Sequence, residues 1–141
     1  MRRRATIVLH WSTAALLLFV LAAGPGAVAL LDWGYVLSAG AMAGLAAIFG
    51  VMNGPGPKLE GAFRAAHPWM SRGLYLLLAW SALSLGALQS GRALPGPEAR
   101  TVLLVVLSAA MIHAVFNLWR HTALGDGALR RISPSLFHKN L

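Results

Sequence analysis

The sequence predicts an all-α integral membrane protein, an up-down four-helix bundle forming a single domain over residues 1–141. Three observations predict it. The chain is 57% hydrophobic and only 11% charged, with a mean hydropathy of +0.65, whereas soluble domains carry about 25% charged residues. Four apolar stretches, residues 5–31, 33–52, 72–89 and 101–120, meet or approach the roughly 20 residues needed to cross a hydrocarbon core about 30 Å thick. The stretches are joined by short Gly/Pro-rich connections, which makes consecutive helices antiparallel neighbours.

Each span has its own signals. The first is too long for the apolar core of a signal peptide and has no small-residue cleavage site, so it reads as retained. Gly24-Pro25-Gly26 interrupts its outer half, and proline there ends or kinks a helix. A helix ending near Gly24 and a short re-formed segment are expected. Leu31-Asp32-Trp33-Gly34 reads as the first outer turn, and Asn53-Gly-Pro-Gly-Pro57 ends span two. Span two is rich in small residues. Its Gly40-x-x-x-Gly44 permits close backbone approach, either inside the bundle or against a partner subunit. Leu94-Pro-Gly-Pro97 marks the second outer turn before span four.

Charge sets the expected orientation. Ten of the twelve basic residues (Arg2, Arg3, Arg4, Lys58, Arg64, Arg72, Arg120, Arg130, Arg131 and Lys139) flank the spans on one side, and only Arg92 and Arg100 lie on the other. That asymmetry predicts both termini and the middle loop in the cytoplasm. The net charge of +8 is then a topology signal with attraction to anionic lipid. Nucleic acid is not implied as a partner, because the basic residues are spread over three loops.

The chain has no cysteine, which removes disulfides, iron–sulfur ligation, thiolate chemistry and covalent c-type haem attachment. Its four acidic residues, Asp32, Glu60, Glu98 and Asp126, all fall outside the expected spans. An ion-coupled transporter or carboxylate relay lacks its groups. No nucleophile–base set, phosphate-binding loop or metal-ligand cluster is legible.

Two histidines carry the functional reading. His10 and His113 sit within the first and last spans, where an imidazole without a partner is costly and marks a functional site. Antiparallel topology brings both to comparable depth, with His113 about 10 Å from the end of its span at 1.5 Å per residue. A b-type haem ligated by two histidines needs that agreement. Ala14, Ala109 and Ala110 leave room for a porphyrin face, and Arg4 and Arg120 are candidates to pair with its propionates. The simpler alternative is that each histidine hydrogen-bonds a neighbouring helix or water. His67, before span three, reads as an interfacial residue beside Trp69 or as a contact to a quinone headgroup or propionate. His121 is either solvated at the interface or a quinone-site or proton-transfer residue, and His138 reads as a solvated tail residue. The tryptophans read mostly as belt or packing aromatics, with Trp11 singled out because it adjoins His10. Asn117 reads as a helix–helix hydrogen-bonding residue.

These residues resemble the bacterial cytochrome b561 family, which includes the superoxide:ubiquinone oxidoreductase type. The matches are Arg4-x5-His10-Trp11, then His113-Ala-Val-Phe-Asn-Leu-Trp-Arg-His121 with Asp126-Gly-Ala-Leu-Arg-Arg-Ile-Ser-Pro134, and more weakly Leu74-Tyr75-Leu-Leu. The resemblance covers the four-span layout, but its specific motifs lie in spans one and four. It implies that His10 and His113 are the axial pair of one b haem on the cytoplasmic side. It also implies roles for Trp11, Arg120 and His121 at a nearby quinone site, and His67, from the reading of the residues above, is a further candidate to border the headgroup. Where members hold a second haem, this chain reads Gly34-Tyr35-Val36-Leu37 and Pro97-Glu98-Ala99-Arg100, without histidine, and it has Arg120 where the family often has a histidine. The outer haem is therefore expected to be missing. One haem on one side does not carry electrons across about 30 Å of bilayer.

The function expected is a single-haem b-type cytochrome of the bacterial inner membrane, multi-pass, exchanging electrons with ubiquinone or a partner subunit. The alternative is an accessory subunit of a larger respiratory or photosynthetic membrane complex, its haem vestigial or absent.

Overall fold

The computed structural model describes residues 2–51, 54, 56, 58–92 and 94–133. It contains α1 (Arg2–Ala23), α2 (Ala29–Phe49), α3 (Gly61–Gln89), α4 (Ala99–Thr122) and the short α5 (Ala128–Ile132). No strand occurs among the described residues. The all-α bundle is as expected, and α1 to α4 are each long and apolar enough to cross a membrane. Asn53, Pro55, Pro57, Pro134, His138 and Lys139 lie outside the described residues.

Two boundaries differ from those read in the sequence. The first turn is residues 24–28, not Leu31-Asp32-Trp33-Gly34. Gly24 (φ +93°) closes α1 with its N–H on the Val20 carbonyl at 2.9 Å, Pro25 prevents continuation, and Gly26 (φ +90°) turns the chain into α2. The expected re-formed segment is the first turn of α2 itself. Asp32 is thus inside a helix and 1% exposed. Its Oδ2 accepts the Gly26 N–H at 2.9 Å and the Gln89 side-chain amide, tying the first turn to the end of α3. Near the start of α2 its charge also suits the helix dipole.

α3 begins eleven residues earlier than the span predicted from Arg72, and His67 and Pro68 lie within it. Proline removes one N–H and frees the Arg64 carbonyl. At 29 residues, α3 is about 43 Å long at 1.5 Å per residue. That exceeds a hydrocarbon core of about 30 Å.

α1 packs against α2, α2 against α3 and α3 against α4, whereas α1 and α4 touch only over a short stretch. The main core fills the half of the bundle away from the basic residues, around Leu17, Tyr35, Met42, Leu78, Leu85, Leu103 and Val106. Hydroxyls bridge the helices inside it. Thr13 Oγ1 bonds Ser38 Oγ at 3.1 Å, and Tyr35 Oη bonds Ser81 Oγ at 2.7 Å. Such bonds hold helices together in lipid, each contributing about 0.6 kcal/mol on average.

Close backbone approach falls elsewhere than at Gly40-x-x-x-Gly44. A Cβ at Gly40 or Gly44 would meet nothing within 4 Å, whereas one at Gly34 would lie 3.4 Å from Leu16 and one at Gly86 3.6 Å from Val36. The Gly40–Gly44 face is turned out of the bundle. So are Leu30, Leu76 and Ile48, at 84%, 72% and 75% exposure. A surface this apolar suits contact with lipid.

The Asp32 bridge gives a direct test. Asp32→Ala leaves the Gly26 N–H and the Gln89 amide unpaired, and destabilisation of about 1–3 kcal/mol is expected in denaturant unfolding of the detergent-solubilised protein.

Candidate functional site

His10 shares a helical face with the buried side chains of α1. It lies four residues after Thr6 and three before Thr13, and Thr6, Thr13, Leu17 and Val20 are all buried. His113 lies seven residues after Val106 and seven before Arg120, both buried on α4. The two imidazoles are within electrostatic range of each other. Each is only half-buried, as are Ala109, Ala110 and Asn117 on the same side of α4. Packing is therefore thin at the level of the histidines. It is dense on one side, in the main core, and dense again on the other, where Leu59, His67, Arg120 and Ala128 are buried. The thin level lies between α1 and α4, which touch only over a short stretch.

Asn117 is directed at His113 on its own helix. Its Nδ2 donates to the His113 carbonyl at 2.8 Å and lies 3.2 Å and 3.4 Å from Nε2 and Nδ1 of the ring. The helix–helix role read from sequence gives way to one that orients an imidazole. The signal was the spacing of four, which stacks two side chains on a helix face.

His67 is 4% exposed, whereas Trp69 is 71% exposed. The interfacial reading of His67 therefore fails. Its ring packs 6.3 Å from that of Phe116 and is within electrostatic range of Arg120, His113, Arg131 and Asp126. His10, His113, His67 and Arg120 form a column running to the basic end. Arg4 and Trp11 stand apart on the exposed side of α1. The Trp11 indole N–H donates to the Ile132 carbonyl at 3.2 Å, and its ring meets His10 edge-on at 5.5 Å.

Arg120 is 1% exposed. Its Nε and Nη2 both reach Asp126 Oδ2, at 2.8 Å and 2.6 Å. Asp126 escaped the sequence reading as a functional residue, although it stood in the matched C-terminal segment. Arg131 donates to the Asp126 carbonyl at 3.3 Å, and Lys58 donates to the Gly125 carbonyl at 3.2 Å. Gly56, in the α2–α3 connection, presses on this pair. Its φ is +79°, and a Cβ there would lie 2.7 Å from Arg120 Nη2 and 3.1 Å from Asp126 Oδ2. Among the described residues, Asp126 Oδ1 and Nδ1 of the half-buried His121 are buried without a hydrogen-bond partner. Among the described residues, no three or more His, Cys, Asp or Glu converge as a metal site.

No family model, curated protein or solved structure matches this chain.

Two substitutions probe the pair. Asp126→Asn leaves a buried guanidinium without its counter-charge, and a loss of about 3–5 kcal/mol is expected on unfolding. Gly56→Ala strains the positive φ and crowds both partners. It is expected to lower the midpoint in the same direction, while Gly54→Ala, in open space, leaves it unchanged.

Proposed function

We infer that this chain is a single-haem b-type membrane cytochrome exchanging electrons with quinone or a partner subunit. One observation carries the reading: His10 and His113 share the thin level between α1 and α4. The donor set is a pair of imidazoles, which suits an iron already held by four porphyrin nitrogens. Such a group supplies one-electron redox chemistry when bound.

The chain's own residues then have distinct tasks. His10 and His113 would ligate the iron, with the small side chains of Ala109 and Ala110 beside His113. Asn117, anchored on the His113 carbonyl with its amide against the ring, would restrict the rotation of the imidazole. Arg4, exposed at the basic end, would pair with the propionates. Arg120 contributes through its field, since Asp126 already occupies two of its donors. His67, buried behind Phe116, and His121, its buried Nδ1 without a partner among the described residues, are the candidates to bond a quinone headgroup. Trp11 borders the site from outside. The basic end is taken as cytoplasmic on the positive-inside rule, in a bacterial inner membrane, and the family is taken as cytochrome b561 on the motifs quoted above.

A second reading is an accessory subunit of a larger respiratory or photosynthetic complex. The outward Gly40–Gly44 face favours it, since small residues that pack nothing within the chain suit a neighbouring helix. The two readings coexist if the subunit retains its haem.

A reduced-minus-oxidised spectrum of the purified protein, with a haem assay, tests the proposal. One b haem per chain is expected, and it should be lost in both His10→Ala and His113→Ala. Asn117→Leu should keep the stoichiometry but weaken haem retention on the order of tenfold. A haem-free protein, or haem that survives both histidine substitutions, overturns the assignment.

A further inference from the structure

Between α3 and α4, at the basic end, lies an open groove of about 460 Å³ lined by Phe63, Met111, Ile112, Val115, Phe116 and Trp119. Every lining side chain is apolar. Phe63, Met111, Ile112 and Val115 are 58–66% exposed, so none of the described residues fills the groove. Three aromatic rings shape it: Phe63 packs 5.4 Å from Trp119 and 6.3 Å from Phe116, and Phe116 lies 5.8 Å from Trp119. From Met111 to Trp119 it follows α4 for about 12 Å at 1.5 Å per residue. That approaches half of a hydrocarbon core about 30 Å thick, the depth of an acyl chain in one leaflet.

The end of the groove at Phe63 and Trp119 opens beside the basic residues. Arg64, next to Phe63, commits only Nη1, to the carbonyls of Gly56 and Leu59 at 3.4 Å and 3.3 Å. Its Nε and Nη2 are unpaired among the described residues. Among the described residues, Lys58 has one bond, to Gly125 O. The nearby acids are Glu60, exposed on the loop, and Asp126, which is engaged by Arg120. The rim is net positive.

We propose that this groove is a specific site for an anionic phospholipid, with one acyl chain against Phe116 and Val115 and the phosphate at Arg64 and Lys58. The charge of the rim selects the headgroup, and the depth of the groove suits the chain. The site does not use the proposed haem ligands: its lining is Phe63 of α3 and the Met111–Trp119 face of α4, without His10 or His113.

The test uses the full-length protein in phosphatidylcholine vesicles doped with a bromine-labelled lipid, brominated phosphatidylglycerol in one series and brominated phosphatidylcholine in the other. Bromine quenches nearby indole fluorescence, and the Trp119 signal is the difference between the protein and Trp119→Phe. Each basic residue near a membrane surface attracts anionic lipid by about 1 kcal/mol, so phosphatidylglycerol should quench Trp119 at mole fractions on the order of tenfold lower. The double variant Lys58→Gln, Arg64→Gln should abolish that preference and retain quenching by phosphatidylcholine. Val115→Trp, which fills the groove with a second indole, should reduce displacement of unlabelled lipid by brominated phosphatidylglycerol at Trp119. Equal quenching by both lipids overturns the proposal and makes this an ordinary lipid-facing surface. A preference that survives the double variant overturns it too. So does the absence of quenching by either lipid, the result expected if a partner helix covers the face, and so does displacement of brominated phosphatidylglycerol by an uncharged long-chain quinone.

Discussion

A guanidinium removed from water must be met by a counter-charge, and much of the basic end of this protein is arranged to supply one to Arg120. Desolvating such an ion costs several kcal/mol. The compensating carboxylate is six residues on, beyond the end of α4. For Asp126 to return, α4 must stop at Thr122 and the chain must reverse through Gly125 and Gly127, both at positive φ. The α2–α3 connection then closes over the pair with Gly56, the one side-chain-free residue type that fits so near both partners. α5 follows from the same reversal and reaches α1, where Arg3 donates to the Arg130 carbonyl at 3.0 Å and Trp11 to that of Ile132. One electrostatic requirement thus joins four helices at one end of the bundle.

The opposite end meets a similar problem with less charge. Asp32 has no cationic partner in its bonds; it accepts a backbone N–H and an amide. Between the ends, hydroxyls on α1, α2 and α3 satisfy one another within the core. The level of His10 and His113 is different. Its polar groups are inward-facing yet half-buried, and the Asn117 amide bonds within its own helix. The imidazoles at this level are left half-buried, and the proposed cofactor would account for them. The lipid groove between α3 and α4 follows from different features, its aromatic walls and its basic rim.

Much of this was legible from the residues. Apolar run length showed four spans because hydrocarbon thickness imposes it, and the Gly24-Pro25-Gly26 break was correctly seen to end α1. The outer turn was misplaced to Asp32 because a charge in an apolar run looks like a boundary. Burial of Asp32 depends on Gln89, 57 residues away. The start of α3 was missed because Pro68 and Arg64 resemble loop residues. Of the candidate site, the shared face of His10 and His113 with their buried neighbours was readable from spacings of three, four and seven. The burial of His67 was hidden, since its neighbours Trp69 and Arg72 belong to an interface.

By itself, then, the sequence determined the number of spans, the side on which positive charge collects, and the helix faces on which the histidines stand. Each of these follows from hydropathy or from the 3.6-residue period, which are properties of neighbouring residues. Only the tertiary structure decided that Arg120 is held by Asp126, that Asn117 serves His113, that Gly40 and Gly44 look outward, and that a groove opens beside Phe116. Those outcomes depend on how far each helix is rotated about its axis and on the path of each connection. Long-range packing sets both, and residues far apart in the chain jointly decide it.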